Sequence, residues 1–510
     1  MLEPGLTCWR VDAAPRASVL VDMEPYLAAM KAVLEKATRS IHLLNWAFDP
    51  DTILNHTPNG AGSNPQTIGD FLKALSSDRP ELEIRILCWD SPLPVAASQR
   101  FFPWRSLRFF AGTRIDFRLD GTVPPGASHH QKVVVVDDAI AFCGSCDIGP
   151  DRWDSPQHLH PDPRRGRRAV GSPCYDCRHE VMAMVDGAPA ANLGALFRDR
   201  WARATGDSLP SPPQPLPDIW PHGITPDFEG VPIGLSRTQA PWKDYPELRE
   251  GETASLAAIA SATTTLYLEN QYFTSPIIAE ALAQRLDEPE GPEVVLISTQ
   301  HSPSWFDQMT MDKTRSAFLR RLEDADRHGR LRVYSPVTAN GRIIIVHAKL
   351  AVVDDRFVRV GSSNVNNRSE GFDSECDLTL DGTGAVDAHG RPCVSLFRNR
   401  LVAHWLGCDE REIARAIQLS GSLGSAIDHL RGEGLTRLQP LRSRRHGAPS
   451  RFIAHYHLGD PISAADSLRP WRRPAQMRHK LAAASHRLIR AEIPGPEVPL
   501  GGPIEPNNRT

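Results

Sequence analysis

Hydrophobic positions along the chain follow two alternating rhythms. Amphipathic stretches with helical spacing, the first near Glu24 to Thr38, give way to short runs rich in β-branched and large apolar residues, such as Ser40 to Trp46 and Glu83 to Trp89. Runs of that length and content read as strands, and a helix between successive strands implies βαβ units on a sheet covered on both faces. The longest apolar runs, around Ile343 to Val346 and Leu350 to Val353, are strand-sized and interrupted by charge. They fall well short of the roughly 18 residues needed to cross a bilayer. The stretch from Leu209 to Trp242, containing PSPPQPLPDIWP, is dense in Pro and poor in periodicity, which reads as a linker. Beyond about Gly407, REIARAIQLSGSLGSAIDHL has helical spacing before Pro, Gly and Arg take over. The last 20 residues are expected to be loose.

The pattern repeats. HHQKVVVVDD (His129 to Asp138) and VHAKLAVVDD (Val346 to Asp355) both place a Lys two residues and an Asp seven residues after a His. Each is followed by Gly-Ser at a fixed distance, in CGSCD (Cys143 to Asp147) and VGSSN (Val360 to Asn364). Upstream, SIHLLNWAF ending at Phe48 resembles TLYLENQYF ending at Phe273, and IRILCWDSP resembles VVLISTQHSP. Downstream, EVMAMVDG from Glu180 resembles ECDLTLDG from Glu375. Five landmarks in one order mean one fold used twice. The expected architecture is α/β: two similar sandwich lobes (1–208 and 243–408), a linker (209–242) and a basic, partly disordered extension (409–510).

Composition adds little to that picture and charge adds more. At 510 residues, 41% hydrophobic and 23% charged, the chain is ordinary globular material. Its net charge of −3 hides a basic tail: Arg431 to Arg490 holds 13 Lys or Arg against three acids. Such a tail suits an anionic surface or a solvated terminus. Nine cysteines without a regular framework fit a reducing compartment, and the amino terminus lacks a basic segment followed by an apolar stretch. The chain is expected to be cytoplasmic, with peripheral membrane contact through its tail. Cys143-x-x-Cys146 and Cys174-x-x-Cys177 have zinc-like spacing near His158, His160 and His179, but strand and loop positions explain them without a metal.

On a strand, His130 and Lys132 share a face, as do His347 and Lys349. A neutral imidazole beside an ammonium suits an anionic electrophile such as a phosphate ester, because Lys offers fixed positive charge and His can attack or move a proton. Asp137 and Asp354, at an odd offset, belong to the strand end and its turn. Glu180 and Glu375 are apt to accept from a His Nδ1–H and so fix the tautomer. Ser145, Ser362 and Asn364 follow in loops where their donors could hold non-bridging oxygens. Asp147 occupies the place of Asn364 in the first half, and an anion cannot repeat that role. Trp46, Trp89, Trp153, Tyr272 and Trp305 are candidates for an acyl-chain path.

Together with GSCDIGPDRWD, YLENQYF and GSSNVNNRSEGFDSE, these paired motifs resemble the phospholipase D superfamily, specifically its two-motif phosphatidyl-cleaving branch, over about Cys8 to Cys408. The resemblance implies two lobes meeting at one pseudo-symmetric site, metal-free and cofactor-free chemistry, and a phosphohistidine intermediate. It makes His130 the nucleophile, His347 the general acid and base, and Lys132, Lys349 and Asn364 phosphate ligands. Glu375 and Glu180 then serve His130 and His347 respectively, across the lobe interface. The implied substrate is a phospholipid at a membrane surface, with water or a primary alcohol as acceptor and a monomeric protein. A cardiolipin synthase-like transferase, a nuclease and an inactive lipid-binding scaffold are the alternatives. The acidic lobes disfavour nucleic acid, and intact His and Lys in both halves disfavour the scaffold.

Overall fold

The structure, a computed structural model, describes residues 1–56, 66–99, 101–149, 151–165, 175–431, 438–444 and 447–491. One continuous mixed sheet runs through both halves. From the first-half edge its strands are Asp116–Asp120, Glu83–Trp89, Ser40–Asn45, Val133–Val136, Ile140–Gly144, Val181–Asp186 and Arg10–Val21. The second half follows as Phe228–Gln239, Glu375–Asp381, Phe357–Gly361, Lys349–Val353, Thr265–Asn270, Glu293–Ile297, Leu331–Pro336 and Leu438–Pro440. Read outward from the centre, the halves use equivalent strands in the same order, so the sequence repeat is a repeat of topology. Ser40–Asn45, Glu83–Trp89 and Asp116–Asp120 pair parallel, as do Thr265–Asn270, Glu293–Ile297 and Leu331–Pro336, as βαβ units require, while the strands around each motif and the edge strand Leu438–Pro440 pair antiparallel.

The seam corrects the expected linker. Within 209–242, Phe228–Gln239 is a twelve-residue strand at the middle of the sheet, pairing with Arg10–Val21 on one side and Glu375–Asp381 on the other. It is the second-half counterpart of Arg10–Val21, and its alternating burial shows a strand that Pro density upstream had obscured. The second lobe also runs past 408. Helices Glu410–Ser420 and Leu423–Leu430 and the edge strand Leu438–Pro440 bury Ile413, Leu423, Ile427 and Leu438 in the main core.

That core lies on one face of the sheet and draws on both halves, under helices Ala188–Thr205 and Cys393–Leu406. On the other face each half has its own core, one around Met23–Leu34 and Ile68–Asp78, the other around Pro276–Asp287 and Met311–Ala325. The tail is partly ordered. Helix Ala448–His455 and helix Arg473–Ala491 follow the edge strand, and Arg473 is buried against Asp466. The terminus expected to be loose lies outside the described residues from 492 onward.

Asp137 and Asp354 sit in left-handed turns, with φ of 55° and 51°. The Asp137 carboxylate accepts from the N–H groups of Thr38, Arg39 and Ser40 at 2.8, 2.8 and 2.7 Å. Asp354 does the same for Thr263, Thr264 and Thr265 at 2.6, 2.8 and 2.8 Å. Each therefore ties its motif turn to the entrance of the neighbouring strand. The first helix ends at Leu34 in a tightened turn, where Lys36 and Ala37 donate to Val33 and Leu34, and it cannot resume at Thr38, whose N–H is committed to Asp137.

Candidate active site

Two short crossings bring the halves' chemistry together. Ile344–Val346 pairs parallel with Cys177–His179, Val346 opposite His179, and the His347 N–H donates to the His179 carbonyl at 2.8 Å. In the mirror position His129 bridges to Ser374, and the His130 N–H donates to the Ser374 carbonyl at 3.0 Å. Each crossing leaves a His and a Glu from opposite halves side by side. The His130 Nδ1–H reaches both Glu375 oxygens at 2.8 and 2.9 Å, and the His347 Nδ1–H reaches Glu180 Oε2 at 2.8 Å. With Nδ1 so engaged, each Nε2 is left for chemistry.

The carboxylates are wholly buried, whereas the His130 and His347 side chains keep 15% and 8% exposure. Both histidines line one cleft together with Asn364, Asp147, Arg152 and Arg178. Ser145 and Ser362 do not face that cleft. Both are fully buried, and their hydroxyls donate to Glu180 at 2.7 Å and to Glu375 at 2.5 Å. This corrects their expected place on phosphate oxygens: they hold the carboxylates that hold the histidines. Ser369, which the sequence reading passed over inside GSSNVNNRSEGFDSE, adds a second hydroxyl to Glu375 at 2.6 Å.

Lys132 and Lys349 are buried behind the imidazoles, each donating to the carbonyl of its own histidine. Burial pushes the Lys349 ammonium down to about 7, with Glu180 opposing and Lys132 reinforcing the shift. Burial first, and then the two ammonium charges, depress His130 well below the ordinary imidazole value; His347 is depressed by burial, Lys349, Arg178, Arg152 and Lys132. Both rings are thereby biased toward the neutral form. Burial lifts Glu375 and Glu180, opposed by Lys132 at the first and by Arg178 and Lys349 at the second.

Asp147, opposite Asn364 in the repeat, lies 3.7 Å from Lys132 and 4.0 Å from Arg152. The first-half wall thus carries an anion already matched by cations. Arg152 and Arg178 were not singled out in the sequence; Arg178 stands two residues before Glu180 and 3.8 Å from its carboxylate, a position that a search for cations flanking each Glu would have found. Of the aromatics, Trp89 and Trp153 belong to the core, Trp46 and Tyr272 line the cleft, and Trp305 is 74% exposed. Cys143 and Cys146 do not form a ligand pair. They lie in cores on opposite faces of the sheet, Cys143 facing Cys376 with sulfurs 3.7 Å apart, and Cys174 lies outside the described residues.

Two apolar helices stand beside the cleft in equivalent places of the repeat. After Glu83–Trp89, Phe102, Trp104 and Leu107 are exposed on or beside Pro103–Phe110; after Glu293–Ile297, Trp305, Phe306 and Met309 are exposed on Trp305–Met309. Among the described residues no helix is long and apolar enough to cross a membrane.

Residues 256–391 match the family described as cardiolipin synthase, PLD-like domain. The chain is 23% identical over 451 residues to phospholipase D alpha 4 of Arabidopsis thaliana, covering 66% of this chain and 57% of that protein. It is also 23% identical over 382 residues to phospholipase D1 of Schizosaccharomyces pombe, covering 55% of this chain and 27% of that one. It therefore spans between about a quarter and just over half of these curated relatives. Among solved structures, the phosphatidylserine synthase of Haemophilus influenzae Rd KW20 superimposes with a TM-score of 0.51 at 11% identity, covering 94% of this chain and 95% of that one. Repeated topology, paired motifs and these relatives agree: the chain belongs to the phospholipase D superfamily.

Proposed function

We propose that this protein is a phospholipase D-type phosphodiesterase that cleaves phospholipid head groups to give phosphatidic acid and transfers phosphatidyl to alcohols. The observation that carries the reading is the crossed pair His130–Glu375 and His347–Glu180 at one cleft, with Lys132 and Lys349 behind it. In the first step His130 Nε2 attacks phosphorus and the bond to the head-group oxygen breaks, while His347 gives that oxygen a proton. Burial and neighbouring cations bias resting His347 toward the neutral form; an arriving phosphodiester anion offsets those charges, so substrate binding itself favours the protonated acid. In the second step His347 takes a proton from water or alcohol, whose oxygen attacks phosphorus and breaks the P–N bond. Two displacements retain configuration.

The exposed apolar helices beside the cleft support a lipid surface over a nucleic acid, which would call for a basic groove with stacking platforms. The phosphatidylserine synthase likeness keeps a transferase acceptor within the same chemistry. Incubation of purified protein with mixed phospholipid vesicles and a primary alcohol, with products identified by mass spectrometry, tests the reading. Phosphatidic acid and phosphatidyl alcohol are expected. Cleavage of single-stranded DNA without either lipid product would overturn it.

A further inference from the structure

Behind the Glu180–His347 pair lies a second cluster for which the phosphodiester chemistry has no use. Asp22, between strand Arg10–Val21 and helix Met23–Leu34, meets His158 from a loop, His179 from the crossing strand and His404 from helix Cys393–Leu406. Asp22, His158 and His179 are buried and His404 keeps 10% exposure. One ligand atom from each of the four lies within 4.8 Å of the others.

Three of the ligand atoms are spaced as metal ligands rather than as hydrogen-bond partners, while the fourth, His179 Nδ1, lies 3.0 Å from the other Asp22 oxygen, Oδ1. His158 Nε2 and His404 Nε2 face each other at 3.2 Å, and Asp22 Oδ2 lies 3.5 and 3.6 Å from them. Those last separations are too long for hydrogen bonds, and Asp22 Oδ2, fully buried, has no hydrogen-bond partner. A tetrahedral ion with bonds of about 2.0 to 2.1 Å needs ligand–ligand edges of about 3.3 Å, close to all three.

The outward ring atoms are dressed to match. His158 Nδ1 is 2.8 Å from Asp154, which also binds Arg165, and His179 Nε2 is 2.7 Å from Glu269, which Tyr267 and the Trp405 N–H hold in place. A carboxylate on the far nitrogen of a histidine fixes the tautomer that presents the near nitrogen to a metal. A network of these four side chains alone leaves the buried Asp22 Oδ2 without a hydrogen bond beside two imidazole nitrogens, which is costly in a buried site.

We propose that Asp22, His158, His404 and His179 bind a structural divalent transition ion of the zinc type, clasping the second-half helix Cys393–Leu406 to the first-half crossing strand Cys177–His179, which Glu180 directly follows. The ligand set, imidazole with one carboxylate, suits zinc over calcium or magnesium. This departs from the expectation that the chain holds no metal, and it is independent of which phosphodiester is cleaved. The ion takes no part in the reaction at phosphorus, so brief exposure of the folded protein to chelator leaves turnover intact while the buried ion stays bound.

The test is metal content of the full chain, purified without an immobilised-metal step and dialysed against EDTA. About one zinc per chain is expected, lost in His404→Gln and kept in His389→Gln, which changes an exposed histidine. Growth on cobalt should give visible absorption of four-coordinate intensity without a thiolate charge-transfer band. That measurement needs only the wild type, should His404→Gln fail to fold. Metal-free wild type from zinc- and cobalt-supplemented cultures, metal retained by soluble His404→Gln, or a thiolate band would each overturn the proposal.

Discussion

The His347 N–H donates to the carbonyl of His179, and the very next residue, Glu180, accepts a hydrogen bond from the Nδ1–H of the same histidine. Backbone and ring of one residue are thus held by two consecutive residues of the other half. His130 has the same relation to Ser374 and Glu375. Neither half can orient its own histidine, so the site exists only when the central sheet has closed. The orientation of the rings is therefore a property of the sheet register.

Glu180→Gln and Glu375→Gln each break that orientation while keeping volume. Loss of about 10² to 10⁴ in kcat is expected, by analogy with removing the acid of a catalytic triad. Ser145→Ala and Ser362→Ala remove only a hydroxyl donated to the carboxylate, worth about 1 to 3 kcal/mol, and should cost roughly ten- to a hundredfold. Turnover of a monomeric short-chain phospholipid measures both; serine variants that lose substrate affinity with kcat intact would return the hydroxyls to the phosphate.

Lys349, with its pKa depressed to about 7, makes a pH prediction whose sign is fixed. The unfolded lysine titrates near 10.4, so between those values the unfolded chain binds the extra proton and folding stability rises with pH. Below about 7 a charged ammonium sits buried. Lys349→Met should therefore stabilise the fold most at or below neutral pH, with its advantage in thermal midpoint shrinking toward pH 10. In the wild type, kcat/KM should fall above about pH 7 as the free protein loses that charge. A pH-independent difference in midpoint would remove Lys349 as the titrating group.

The sequence made some features plain and hid others for physical reasons. Paired motifs exposed the repeat because HxK and its Asp are short-range patterns, set by strand alternation and by the tight left-handed turn in which Asp137 and Asp354 stand. Phe228–Gln239 was concealed because its pairing partners lie more than a hundred residues away and its own run contains Gly230, Pro232 and Gly234. Ser145 and Ser362 were recognisable as site residues but not in their job, since which way a buried hydroxyl points depends on Glu180 and Glu375 arriving from the next strand. The Asp22 cluster draws on four separate elements and has no local signature at all.

Trp305 and Phe306, exposed beside the cleft, should insert into a lipid surface. Burying such side chains is worth about 1.5 to 3 kcal/mol each. Trp305→Ser with Phe306→Ser should weaken binding to phosphatidylcholine vesicles by tenfold or more and leave hydrolysis of a soluble short-chain lipid within about twofold. Equal losses on both substrates would make the helix part of the cleft rather than of the membrane contact.

The tail has a structural duty that its charge does not suggest. Asp460, fully buried, accepts from the N–H groups of Asn367 and Arg368 and from the Asn367 amide, each at 3.0 Å. Those residues lie in the loop between Asn364 and Glu375. Asp460→Ala leaves these donors unsatisfied, at a cost of about 1 to 3 kcal/mol. It should lower kcat as well as the thermal midpoint, whereas vesicle binding should persist. An unchanged kcat would mean the loop holds its shape without the tail.

The decisive experiment concerns the two histidines, whose surroundings are nearly symmetric while the proposed reaction gives them opposite tasks. An attacking imidazole must be unprotonated, and a leaving alkoxide needs a proton, so the two rings must differ in protonation once substrate is bound. His130 is the more exposed of the two, at 15% against 8%, and Glu375 grips it through both carboxylate oxygens. His347 has Arg178 and Arg152 among the charges acting on it, a setting in which an incoming anion makes the larger difference. His130→Ala should abolish the phosphoenzyme. His347→Asn should still form it from a substrate whose leaving group needs no proton, and should discharge it slowly, because no base then activates water. Acid-quenched trapping and peptide mapping read both outcomes. Label on His347 in the wild type, or label surviving in His130→Ala, would exchange the two roles, and inversion at phosphorus would eliminate the covalent intermediate.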